Sequence, residues 1–321
     1  MQAKLIFGLR PDLKGLGSAR VGIRLLAAAI LLGATVNAAP CPARAAGTII
    51  NAVASTNVYA DVISQLGGSH VRVIGILSNP NTDPHTYESS TVDAGAVARA
   101  TLLVKNGIGY DNFMGKLEAA SPSAKRVVID VGMSLGYKGG VNPHLWYKPD
   151  TMSRIAPLIV AALAKQDPAD KMAFEANLKT FQASLRPWFS QIAAIKKRYS
   201  GTPVAVTEPV FDYAAQAAGL NILTPYTFQA AIMGGTDPSP QDVQRQKNFF
   251  SQKQIKVFFY NQQAVAPITA QLLGLAHGNH IPVVGVYETR PVHKTFQQWM
   301  IAEMSAVQLA LSKGISTEQI H

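Results

Sequence analysis

The stretch PVVGVYE, Pro282 to Glu288, decides how this chain folds. From Val283 to Tyr287 it carries no charge and no amide, and then it ends on an acid. A strand with one wet face alternates apolar and polar residues, whereas a parallel strand covered on both faces reads as a continuous apolar run. Runs of this kind recur along the sequence. In the first half they are TIINAVA (Thr48 to Ala54), VRVIGIL (Val71 to Leu77), TLLVKN (Thr101 to Asn106) and RVVIDV (Arg126 to Val131). In the second half PVAVTE (Pro203 to Glu208), NILT (Asn221 to Thr224) and KVFFYN (Lys256 to Asn261) precede PVVGVYE. Helical patterns separate them, which implies βαβ crossovers and an α/β fold. Four strands in each half predict two similar lobes with mostly parallel four-stranded sheets.

A different pattern lies between the halves. Phe174, Leu178, Phe181, Leu185, Trp188, Ile192 and Ile195 recur at alternating steps of four and three. That is one helical stripe from Ala169 to Tyr199. At 1.5 Å per residue it would run roughly 45 Å, enough to join both lobes as a long rigid helix. An ordinary core helix fits the same stripe. Pro187 removes a backbone donor at a cost of about 3 kcal/mol or more, so a kink or a split is expected there. The resulting domain plan is a signal peptide over residues 1–45, a first α/β lobe over 46–168, the connecting helix over 169–199 and a second α/β lobe over 200–321.

A chain of 321 residues, 48% hydrophobic and 15% charged, can bury two real cores. Its net charge of +10 suggests nucleic acid, but residues 1–45 hold six Lys/Arg against one acid, leaving +5 for the rest. The remaining basic residues are scattered, apart from Lys196 to Arg198 at a helix end, where they complement the dipole. No nucleic-acid partner is expected. At the front, a basic region up to Arg24 precedes LLAAAILLGATVNAA, Leu25 to Ala39. That run is short for a membrane span and suits a secretory signal, with cleavage after the small residues of Ala43 to Ala45. Cys41 raises a lipid anchor, but Pro40 directly before it fits a lipobox badly, and anchoring is not expected. Cleavage after Ala45 would leave a soluble, exported chain without cysteine.

Of the seven histidines, two share a context. His85 stands in DPH after the second strand, and His144 stands in NPHLW beyond the fourth. A proline before each stiffens the approach to the ring. Glu208 ends PVAVTE and Glu288 ends PVVGVYE. All four therefore fall at or beyond the C-terminal ends of strands, where open α/β sheets bind their ligands. Two imidazoles from one lobe and two carboxylates from the other make a metal site. Zinc would take the four groups tetrahedrally; manganese tolerates oxygen-rich sets; iron ranks third.

At this point the sequence resembles a family. GGSHVRVIGILSNPNTDPHTYESS (Gly67 to Ser90) looks like the signature of the periplasmic metal-binding proteins that serve bacterial zinc, manganese and iron ABC importers. NPHLWYKPDTM (Asn142 to Met152), EANLKTFQASL (Glu175 to Leu185), TEPVFDYAAQAAGL (Thr207 to Leu220) and DPSPQDVQ (Asp237 to Gln244) are similar to later segments of that family. The resemblance covers Ala46 to Lys313. It implies two α/β lobes joined by a rigid helix, with one divalent metal between them held by His85, His144 and Glu208. Glu288 is carried over as the fourth ligand, where the family usually has Asp. Two departures bear on the metal. Many zinc-specific relatives have His at the position of Glu208, and many carry a His-rich loop where Ile108 to Lys125 has none.

The expected function is an exported receptor that captures zinc or manganese and delivers it to an ABC permease of the inner membrane, as a monomer. Alternatives are an exported metallohydrolase and a surface adhesin on the same scaffold. No HExxH, Walker A or GxSxG motif occurs, so ATPase subunits would be separate chains and no enzyme activity is expected. His277, His280 and His293 read as loop residues at the surface, and His70 as an exposed turn residue. Tyr87, Trp146 and Tyr147 either shield the site or belong to the lobe core, the core being the simpler reading.

Overall fold

The computed structural model describes residues 49–79, 82 and 86–320. The proposed signal segment, Cys41 and His85 lie outside them. Among the described residues eight strands appear where the apolar runs predict them. β1 is Ile50–Thr56, β2 Val71–Leu77, β3 Leu102–Lys105 and β4 Val127–Asp130. β5 is Pro203–Val206, β6 Asn221–Ile222, β7 Val257–Asn261 and β8 Val283–Val286. They form two sheets with the orders β2-β1-β3-β4 and β6-β5-β7-β8. Every pairing is parallel. Each sheet thus repeats one topology, with the strand order reversing between β1 and β3 and between β5 and β7.

The helices alternate with these strands. In the first half α1 is Asn57–Gly67, α2 Thr91–Arg99, α3 Asn112–Ala120, α4 Val131–Ser134 and α5 Thr151–Gln166. α6 (Lys171–Ser184) and α7 (Arg186–Tyr199) carry the long stripe. Then follow α8 (Asp212–Ala217), α9 (Tyr226–Met233), α10 (Pro240–Ser251), α11 (Pro267–Gly278) and α12 (Phe296–Lys313). The expected kink is present as a split at Leu185. Pro187 has no N–H for the carbonyl four residues back, so it ends α6 and sits in the first turn of α7, where that N–H is not needed. Lys196, Lys197 and Arg198 fill the last turn of α7.

Both faces of the second sheet are covered, as its unbroken strands require. Val257 and Phe259 of β7 face a core that also contains Trp188, Trp299 and Val307. Phe258 and Tyr260 face the opposite way, onto Phe228, Phe250 and Leu272. The first of these cores is continuous through β1, β3, α5, α6, α7 and α12, so one apolar body supports both sheets. Polar stitches cross the same seam. Asn57 exchanges two 2.8 Å hydrogen bonds with the backbone of Arg290, and Asp61 accepts from Phe296 N at 2.8 Å.

The last described residues form a strap along β8. Thr317 pairs with Val284 in parallel, donating to Val283 O at 2.8 Å and accepting from Gly285 N at 2.9 Å. A Cβ at position 285 would collide with the Glu318 carbonyl, so only glycine allows this approach.

Candidate metal centre

Glu208 follows β5 by two residues and Glu288 follows β8 by two; both are fully buried. Glu208 is extended and precedes Pro209, which opens a short 3₁₀ turn. His144 enters from the first lobe on the loop beyond β4, and it too has zero exposure. Its Nε2 lies 3.3 Å from Glu288 Oε2. Three of the four residues singled out in the sequence therefore come together at strand ends of the second sheet. The fourth, His85, belongs to the residues not described.

Asn142 sets the chemistry of His144. Its Oδ1 lies 2.8 Å from His144 Nδ1 and accepts the His144 backbone N–H at 3.0 Å. Its Nδ2 donates to Pro209 O at 2.6 Å, which identifies Oδ1 as the acceptor. The imidazole therefore carries a proton on Nδ1, which leaves Nε2, facing Glu288, as the nitrogen that would offer a lone pair to a metal. That is the tautomer a metal ligand needs. Through the same amide, the first-lobe loop is tied to the residue after Glu208.

Asn261, the last residue of β7, gathers the two carboxylates. Its Nδ2 donates to Glu288 Oε1 at 2.8 Å and also to Glu208 Oε1. Its backbone N–H donates to Thr207 Oγ1 at 3.0 Å, and its Oδ1 accepts from Gln263 N at 2.9 Å. Gln263 Oε1 in turn accepts from Glu288 N at 2.7 Å and Thr289 N at 2.9 Å, holding the loop after β8. None of these amides was singled out in the sequence, where strand ends were searched for acids and histidines only. Asn261 stood at such an end, in KVFFYN, and could have been found there.

Aromatic rings close the centre. Tyr110 and Trp146 meet the His144 ring edge-on, with centroids 5.8 and 5.4 Å away. Burial, reinforced by the adjacent Glu288 carboxylate, lifts the Tyr110 hydroxyl well above its ordinary range, so it stays a neutral donor. Trp146 thus has both roles considered for it, as core residue and as wall. Tyr147 lies one layer out: its hydroxyl sits 2.8 Å from Tyr287 O and 2.7 Å from Glu303 Oε1. Tyr87 is half-buried against Phe113, with ring centroids 5.0 Å apart. A surface cavity of about 440 Å³, lined by Thr86, Ile108, Tyr110, Pro143, Tyr226 and Met233 among others, opens beside the centre. Neither glutamate nor His144 lines it.

The other histidines divide. His280 and His293 are exposed, both at positive φ. His277 lies in the last turn of α11 rather than in a loop, because Gly278 still completes that helix; its Nε2 pairs with Glu318 Oε1 at 2.7 Å. His70 is not the exposed residue expected from its turn. It is 28% exposed, and its Nδ1 lies 2.6 Å from Oδ2 of the buried Asp170.

Two carboxylates out of water are costly unless a cation or strong donors meet them. An imidazole lone pair beside them completes a mixed nitrogen and oxygen donor set suited to zinc, manganese or iron.

Residues 52–310 match the family described as zinc-uptake complex component A, periplasmic. The metal ABC transporter substrate-binding lipoprotein ScbA of Streptococcus cristatus is 25% identical over 211 residues, 59% of this chain and 67% of that protein. The manganese-binding lipoprotein MntA of Bacillus subtilis (strain 168) is 24% identical over 249 residues, 74% and 79% of the two chains. A crystal structure of ZnuA superposes with a TM-score of 0.67 at 23% identity, covering 82% of this chain and 98% of that one.

Proposed function

We propose, because the chain belongs to the family of periplasmic zinc-uptake component A, that its buried centre captures one divalent transition metal ion for an ABC importer. The ion is cargo, not a cofactor. His144 Nε2, Glu208 and Glu288 hold it, together with His85 from the DPH loop. The observation that carries this reading is the convergence of His144, Glu208 and Glu288 at zero exposure, with Asn142 bound to Nδ1 so that Nε2 faces the carboxylates. Four protein ligands fill a tetrahedral zinc site and leave no position for a reacting water, which suits transport rather than hydrolysis. The two lobes and their connecting segment would act as a fixed frame around the ion.

The metal is zinc or manganese. Zinc wins on raw affinity by the Irving–Williams order, while two carboxylates favour manganese more than a histidine-rich set would. The partner is a separate permease of the inner membrane, met by a monomer. Export through the front segment is part of the same reading. Relatives named as lipoproteins set aside the expectation against an anchor at Cys41. Mass spectrometry of the exported protein separates a lipid at Cys41 from cleavage after Ala45.

The test is a calorimetric titration of the chelator-stripped protein with zinc and with manganese at neutral pH. Tight zinc with negligible manganese binding makes it a zinc receptor despite Glu208. Tight binding of both makes it a mixed-metal receptor. If neither ion binds tightly, the reading fails.

A further inference from the structure

A second group of imidazole and carboxylate donors lies outside this centre. His70 ends the 3₁₀ turn before β2, while Asp167 and Asp170 bracket the turn between α5 and α6. One donor atom from each of the three lies within 4.8 Å of the other two. Asp167 and Asp170 are 6% and 2% exposed, whereas the His70 side chain keeps 28% of its surface open. The Phe174 ring stands edge-on to His70 at 5.6 Å and walls the group on one side.

His70 and Asp170 alone would make an ordinary buried ion pair. Asp167 is what that account leaves over. Its Oδ2 is buried and makes no hydrogen bond, and among the described residues no lysine or arginine pairs with it. That leaves the Asp167 carboxylate, almost wholly out of water, with an oxygen that nothing in the ion pair satisfies. A buried acceptor without a donor is costly, and a buried charge more so. A divalent cation removes both costs.

The geometry is close to what such an ion requires. Zinc bonds nitrogen and oxygen at about 2.0–2.2 Å, so neighbouring ligand atoms of a tetrahedral site lie roughly 3.4 Å apart. Donors within 4.8 Å of one another reach that spacing by side-chain rotation of about 1 Å. The ion takes the place of the proton shared by His70 and Asp170.

We propose that His70, Asp167 and Asp170 form a second site for a divalent transition ion, weaker than the central one and open to water on the His70 side. It joins the entry of β2 to the start of α6, so its occupancy pins the first sheet to the connecting segment. The proposal does not rest on the central site.

The test is a zinc chloride titration of the full stripped chain, by calorimetry, with parallel thermal melts. Wild type is expected to take two equivalents, one tight and one weaker. His70→Ala and Asp167→Asn each lose the weaker equivalent and keep the tight one. His144→Ala does the reverse, so failure of one site cannot be mistaken for failure of the other. Metal-free melts of His70→Ala and Asp167→Asn show whether each variant is folded, and Asp167→Asn keeps the side-chain shape if His70→Ala is not. A single equivalent in wild type that survives both substitutions overturns the proposal and leaves a buried ion pair. A second equivalent untouched by folded His70→Ala and Asp167→Asn also overturns it.

Discussion

His144 and His70 each stand beside a buried carboxylate, 3.3 Å from Glu288 and 2.6 Å from Asp170. The surroundings separate them. His144 has no exposure, its proton is placed by Asn142, and its acidic neighbours are gathered from two strand ends by Asn261. His70 keeps an open edge, and its acids come from a single turn between two helices. The same donor types are thus built once as a prearranged centre between two sheets and once as a local group at a helix junction. Preorganisation spares the ordering cost at binding, so the first should hold its ion tightly and release it slowly. The second should exchange readily.

The largest test of that contrast is His144→Ala. Loss of a residue that merely supports a metal ligand costs about 10- to 100-fold in affinity, and loss of the ligand should exceed that. Competition with a chelator of known affinity measures it, and an unchanged dissociation constant would put the tight ion elsewhere. Asn261→Leu comes next, with an expected weakening of about 10- to 100-fold. A value near wild type would mean that the carboxylates need no gathering.

A smaller effect concerns Asp212, at the start of α8 beyond Glu208. Burial lifts its carboxyl from 3.8 to about 7. Below about 4 both the folded and the unfolded chain hold that proton. Between about 4 and 7 the unfolded chain loses it first, so stability falls as pH rises through this window. Asp212→Asn should flatten that slope in thermal melts taken from pH 4 to pH 8; an identical slope would refute the assignment. The smallest expectation is no effect: His277→Ala should leave both zinc equivalents in place, since His277 serves a surface pair with Glu318.

Much of the architecture was legible because its signals are local. An apolar run without alternation reports burial on both faces, and β7 shows it, with successive residues facing opposite cores. Pro187 announced the split between α6 and α7, which falls at Leu185, between the proline and the Ala183 carbonyl it cannot serve. The candidate centre was legible where residue type and strand end coincide, as at Glu208 and Glu288, and at the Pro-His pair of His144. Its amides were not. Asn142 acts on Pro209 and Asn261 on Glu288, contacts that exist only once distant segments meet. Asp170 likewise lies a hundred residues from His70, so nothing near that histidine in sequence foretold its partner.

The strap over β8 holds none of the residues assigned to the ion, yet its place in the sheet matters. β8 is the outermost strand of its sheet, all four residues are buried, and Thr317 occupies the hydrogen-bonding edge. Chains clipped after Gly314 would bare that edge, and a bare apolar edge is a template onto which another molecule can zip. The loss should register as light scattering on storage or warming while the affinity for metal stays put. On that outcome residues 315–320 would serve as guards against self-association, protecting the population of receptors rather than the binding event.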